Sequence, residues 1–246
     1  MSPPSEQNQA GTLLWERSPR WVRVRFGGEV IADAKSPVLA WEKGKVIPFY
    51  LFPPESVRTG MLSEDGSDGV KRYFDLPGAG RAAWSYREAG ELADHIAFDW
   101  SAMDGWFEEE EEVFVHARDP HKRVDVLDSS RHVVVSIGGE VVADTQRPRL
   151  LFETGLPTRY YIPREDVRMD LLEPTDKHTQ CPYKGVASYW SFGDEKDVAW
   201  SYPDPISQQP QIKDLVAFFN ERVDIEVDGE PEERPETQWS VRVKSA

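Results

Sequence analysis

The sequence predicts a mainly β protein made of two homologous antiparallel domains, each carrying one short helix. Three observations predict it. First, blocks repeat in the same order: "VRVRFGGEVIADAKSPVLAWE" (22–42) overlays "VVVSIGGEVVADTQRPRLLFE" (133–153) without a gap. "FYLFPPESVRTGML" (49–62) then overlays "YYIPREDVRMDLL" (160–172) with a slip of one residue, and "AAWSY" (82–86) overlays "VAWSY" (198–202). Ordered blocks of this kind are the signature of a duplicated unit. Second, each copy opens with two β-rich runs around a Gly-Gly pair, the composition of a tight hairpin. Third, helical periodicity is confined to one short stretch near the end of each copy.

Taken in order, residues 1–11 are polar and Pro-containing and are read as a disordered N-terminus. The first domain spans 12–118. Val22, Val24 and Phe26 alternate with Arg23 and Arg25, so its first hairpin presents one apolar face. "ELADHIAFDW" (91–100) is its helical stretch and "EVFVHA" (112–117) its closing strand. "EEEEE" (108–112) reads as a solvated element end. Residues 119–129 form a short charged connector. The second domain spans 130–230, and its "HVVVSI" run is apolar almost throughout, which predicts cover on both faces. "RYYIPREDVRMDLL" reads as a strand, a Pro break and a second short piece. "ASYWSF" and "VAWSY" are strands around the turn cluster "GDEKD". "PQIKDLVAFFNER" (210–222) has Pro at its start and Ile212, Leu215, Val216 and Phe219 at helical spacing. "DIEVDG" (224–229) closes the unit, and 231–246 is a tail, disordered as far as Trp239.

Bulk composition excludes several functions. The chain has 246 residues, a formal charge of −15 and a pI near 4.8. Such a surface repels phosphate backbones and anionic headgroups, so neither nucleic acid nor membrane is expected as a partner. One cysteine leaves no intramolecular disulfide and no multi-thiolate zinc site. The start lacks the basic and apolar runs of a signal peptide, and a cytoplasmic location is expected. No metal and no cofactor is assigned.

The copies differ most at "HTQCPYKG" (178–185), which holds the single cysteine. Leu172 and Tyr189 are seventeen steps apart, whereas Leu62 and Tyr73 are eleven apart, joined by "SEDGSDGVKRY". The first copy therefore keeps the scaffold and drops the His, Cys, Pro and Lys. A segment removable without loss of the fold serves function more than folding.

"GGEVVADT", "YYIPREDVRMDLLEPT", "HTQCPYKGVASYW" and "VAWSYPDP" resemble the DUF427 domain, a family of small domains without an established activity. The first half resembles the same family without the "HTxCPYKG" segment. The resemblance implies a β-tent-like arrangement of two antiparallel sheets, similar to that of methionine sulfoxide reductase B and related binding domains. It also carries a nucleotidyltransferase label. No Gly-Ser followed by paired metal-binding aspartates and no phosphate-cradling loop supports that label here.

Four readings of the segment follow. Cys181 is a nucleophile if His178 or Lys184 lowers its pKa, or a small buried hydrophobe in a turn if they do not. His178 and Cys181 with nearby acids give a poor zinc set. A pocket lined by Tyr160, Tyr183 and Trp190, with Arg168 and Lys184 supplying charge and His178 and Cys181 shaping the loop, would take a small organic ligand. Finally, the two copies pair as an intramolecular pseudo-dimer with no small ligand. The expectation adopted is the ligand-binding module, with a Cys181- or His178-dependent enzyme as the alternative.

Overall fold

A computed structural model describes residues 9–240, which divide into two compact units between His121 and Lys122. Each unit is built from three small antiparallel sheets, and no helix exceeds a single 3-10 turn among the described residues. Nor is any described helix long and apolar enough to cross a membrane.

In the second unit, Val124–Asp128, Arg149–Glu153 and Arg159–Tyr161 form one sheet, in that order. The second sheet runs Glu140–Thr145, Val133–Ile137, Asp224–Val227, Glu230–Pro231. The third, which carries "HTQCPYKG", runs Glu173–Cys181, Gly185–Phe192, Glu195–Ser201, Val216–Phe218. The first unit has the same plan, with Leu13–Arg17, Val38–Glu42 and Phe49–Leu51 in the first sheet and Gln9–Ala10 added at its edge. Its other sheets centre on the Val22–Phe26 and Glu29–Ala34 hairpin and on the Lys71–Leu76 and Ala79–Tyr86 hairpin.

The Gly-Gly turns form as the sequence predicts. Gly138 and Gly139 have φ of 58° and 86°, the left-handed pair that matches hairpin twist. The strand before them alternates: Val133, Val135 and Ile137 are buried, whereas Val134 and Ser136 are half-buried, so "HVVVSI" is less covered than its composition suggests.

Several expectations are corrected. Residues 210–222 are not an α-helix: Pro210–Ile212 is a 3-10 turn and Val216–Phe218 is a strand pairing with Glu195–Ser201. In the first copy, Gly90–Leu92 and Ala97–Phe98 repeat this pattern. Both apolar runs gain a sheet edge, and ladder bonds outweigh a helical period this short. The strand closing the first unit is Gly105–Glu108, not 112–117, and it lies beside Val22–Phe26 as Asp224–Val227 lies beside Val133–Ile137. Glu108, at the head of the acidic run, is buried and accepts from Tyr50 and pairs with Arg20 and Arg118. Finally, part of the connector and tail is structure. Val124–Asp128 pairs with Arg149–Glu153. Beyond residue 230, Glu232 accepts from the Tyr160 hydroxyl, Arg234 pairs with Asp224 and Thr237 donates to Glu221. Of the proposed disordered N-terminus, residues 1–8 lie outside the described residues, and Gln9–Ala10 already pair with Leu13–Leu14.

Candidate functional site

The third sheet of the second unit sets the site. "HTQCPYKG" is not a loop: His178, Thr179, Gln180 and Cys181 end the Glu173–Cys181 strand, and a turn returns the chain at Gly185. Its register pairs Cys181 with Gly185 and Thr179 with Ala187, and Tyr189 with Trp200 on the next strand. Successive side chains on a strand point to opposite faces. Cys181, Ala187, Tyr189, Trp200 and Tyr202 therefore share one face, which packs on Leu151, Tyr161 and Ile212. Trp190 takes the opposite face and joins the other core cluster with Tyr160, Leu150 and Val198.

This alternation separates the predicted pocket residues. Tyr160 and Trp190 are core, the Tyr160 hydroxyl donating to Glu232 and the Trp190 ring lying 5.4 Å from the Arg164 guanidinium. A depression of about 270 Å³ beside Tyr160 is lined by Thr158, Asn220 and the acids Glu232 and Glu233, and by neither Trp190 nor Tyr183. Arg168 is exposed and forks onto Asp170 at 2.8 and 2.9 Å. His178 stands three positions from Cys181, hence on the other strand face, with its Nδ1 3.3 Å from the Ala187 carbonyl. It forms no dyad with the thiol. Trp200 is likewise occupied: the Arg159 guanidinium lies 5.7, 5.9 and 5.4 Å from the rings of Trp200, Phe219 and Trp239, while forking onto Glu221.

Three predicted residues do converge. Lys184, at the end of the turn, is buried, and its ammonium bonds Glu153, a carboxylate at the end of Arg149–Glu153. Lys122 reaches the other Glu153 oxygen at 3.1 Å and lies 5.6 Å from the centre of the Tyr183 ring. The turn is held by the Lys184 amide donating to Cys181 at 3.3 Å and the Ile206 amide donating to Lys184 at 3.1 Å. Gly185 has a φ of 107°, and a Cβ there would lie 3.1 Å from the Asp204 carbonyl, so any side chain would be strained and would press on the facing segment.

The electrostatics follow from burial. Desolvation favours a neutral Lys184 amine, but the Glu153 carboxylate that it bonds outweighs this and holds the ammonium above the usual lysine range. Burial likewise opposes a charged Glu153, and Lys184 and Lys122 overcome it, so its pKa is lowered. Burial pushes the Tyr161 hydroxyl up to about 12 and raises Tyr202 as well, so both phenols stay neutral. The result is two ammoniums on one buried carboxylate, walled by neutral phenols and a partly exposed thiol. Among the described residues, no group of three or more His, Cys, Asp and Glu is placed to hold a metal ion.

Glu153 and Lys122 are not among the site residues that the sequence predicts. Glu153 does carry a signal, because it coincides with Glu42 at the end of the first repeated block. Lys122 carried none, since it lies in the connector.

A family model described as a domain of unknown function, DUF427, matches residues 14–109 and again residues 125–229. No curated protein matches the chain.

Proposed function

The chain belongs to the DUF427 family as a tandem, two-copy member, and from that premise we propose that its second domain binds a small organic anion at the Lys184–Glu153–Lys122 cluster. One observation carries this reading: two lysines meet on a single buried carboxylate, which leaves a net positive charge at one point of a chain with a formal charge of −15. A carboxylate ligand would take Lys122, the more exposed of the two ammoniums, and lay its apolar body against Tyr183. Lys184 and Glu153 position the turn, and Cys181 borders the site.

The test uses the full chain, ¹⁵N-labelled, titrated with phenylacetate and separately with phenethylamine, its charge-reversed counterpart. Phenylacetate is expected to shift the amides of residues 183–186 saturably, phenethylamine to leave them in place, and Lys122→Met to abolish the effect. Equal shifts from both compounds, or shifts unchanged in Lys122→Met, would remove the anion reading.

A further inference from the structure

The first unit holds the same carboxylate in the same place, but a different residue answers it. Glu42 ends Val38–Glu42 as Glu153 ends Arg149–Glu153. Tyr73 pairs with Trp84 as Tyr189 pairs with Trp200, which makes Tyr86 the counterpart of Tyr202. By this register Lys71, opposite Tyr86, stands at the position of Ala187 and not of Lys184. Its ammonium nevertheless lies 2.7 Å from Glu42, and 5.0 and 5.2 Å from the Trp84 and Tyr86 rings. The Tyr86 hydroxyl donates to Glu42 at 2.6 Å. A second lysine, Lys45, acts on Glu42 through its charge alone, whereas Lys122 makes an ion pair with Glu153. The shorter hairpin thus has no counterpart of Lys184, and Lys71 reaches the equivalent carboxylate from the strand position that Ala187 holds in the second unit.

This cluster is also more open than its counterpart. The Lys71 and Glu42 side chains are 23% and 33% exposed, against 11% and 6% for Lys184 and Glu153. Val46, Ile47 and Val70, exposed at 84%, 54% and 51%, lie in the turn after Glu42 and next to Lys71 in the chain. In the second unit the Trp200 indole donates to the Tyr161 hydroxyl at 3.2 Å. In the first, Leu51 takes the place of Tyr161, as the two ladders show. The Trp84 indole N–H is buried and no acceptor stands in hydrogen-bonding geometry to it. A buried donor without a partner is costly, and a ligand oxygen would satisfy it.

We propose that the first domain carries a second site for a small organic carboxylate, formed by Lys71, Trp84, Tyr86 and Glu42, with Val46, Ile47 and Val70 receiving its apolar body. The proposal shares its ligand class with the reading of the second domain and rests on it for that class. The carboxylate takes one hydrogen bond from the Lys71 ammonium and one from the Trp84 indole.

The experiment is the same titration of the full chain with phenylacetate, read at a different place. The Trp84 indole N–H resonance and the amides of residues 70–72 are expected to move downfield and saturate. Lys71→Met should abolish these shifts and leave those of residues 183–186 intact, and Lys122→Met should do the reverse. Movement at 183–186 with a stationary Trp84 indole would overturn this inference alone. Movement at Trp84 without movement at 183–186 would uphold it and overturn the second-domain reading. Silence at both places would remove both. Phenethylamine moving the Trp84 indole as far as phenylacetate does would overturn the carboxylate class. Because the wild-type spectrum decides most of these outcomes, a poorly folded Lys71→Met leaves the test intact, and Lys71→Gln serves as its second variant.

Discussion

Glu153 is where charge, burial and the repeat meet. Replacing it with Gln leaves the Lys184 ammonium buried with no carboxylate, and an unpaired buried charge costs about 3 kcal/mol or more. Glu42→Gln breaks a more open pair and should cost about 1 kcal/mol or less. Urea unfolding of the two variants at neutral pH checks the order. The same residue sets a pH dependence. Its folded pKa lies below the unfolded value, so the unfolded chain takes up the proton first as pH falls. The stabilisation is present above a pH of about 4.3, the ordinary glutamate value, and is lost progressively as the pH falls from there through the lower folded value. The gap between wild type and Glu153→Gln should therefore be widest near neutrality and narrow below that pH. A gap constant from pH 7 to pH 3.5 would mean that the ion pair contributes nothing.

At the scale of the element, the hairpin tip decides the site. Gly139 and Gly185 both have positive φ, but a Cβ at Gly139 meets nothing within 4 Å, whereas one at Gly185 would meet the Asp204 carbonyl at 3.1 Å and the Ile206 amide at 3.3 Å. Gly139→Ala should cost about 1 kcal/mol, the price of the left-handed backbone alone. Gly185→Ala should cost at least about twice that, because the 203–206 segment must also move. Thermal melts of both variants measure the difference, and equal losses would mean that the segment yields freely. The hairpin also explains why the pocket read from the sequence came apart. "YYIP" and "SYW" each place two aromatic residues side by side, and adjacency in a strand puts them on opposite faces. Tyr160 and Trp190 thus enter one core cluster, and Tyr161 and Tyr189 the other. The alternation was legible, but which face met Lys184 was not, because that depends on which sheet lies opposite.

For the whole molecule, duplication predicts self-sufficiency. Each unit has its own three sheets and its own pair of core clusters. Residues 122–246 expressed alone should fold with a β-type circular dichroism spectrum and one cooperative melt. A fragment starting at residue 130 should be destabilised, because it lacks the Val124–Asp128 strand and Lys122. Equal stability of the two fragments would show that this strand adds nothing to the unit.

Taken by itself, the sequence determined the duplication, the antiparallel β class, the Gly-Gly hairpins and the "HTQCPYKG" segment as the main difference between the copies. These rest on local patterns: aligned blocks, period-2 alternation and residues suited to positive φ. Only the tertiary structure decided that Lys184 meets Glu153 and Lys122, that Lys71 meets Glu42 from a different strand position, and that 210–222 yields its helical period to a sheet edge. Each of these is a contact between segments distant in the chain. Its free energy depends on the facing surface and on how completely water is removed, and neither is written in the spacing of the residues themselves.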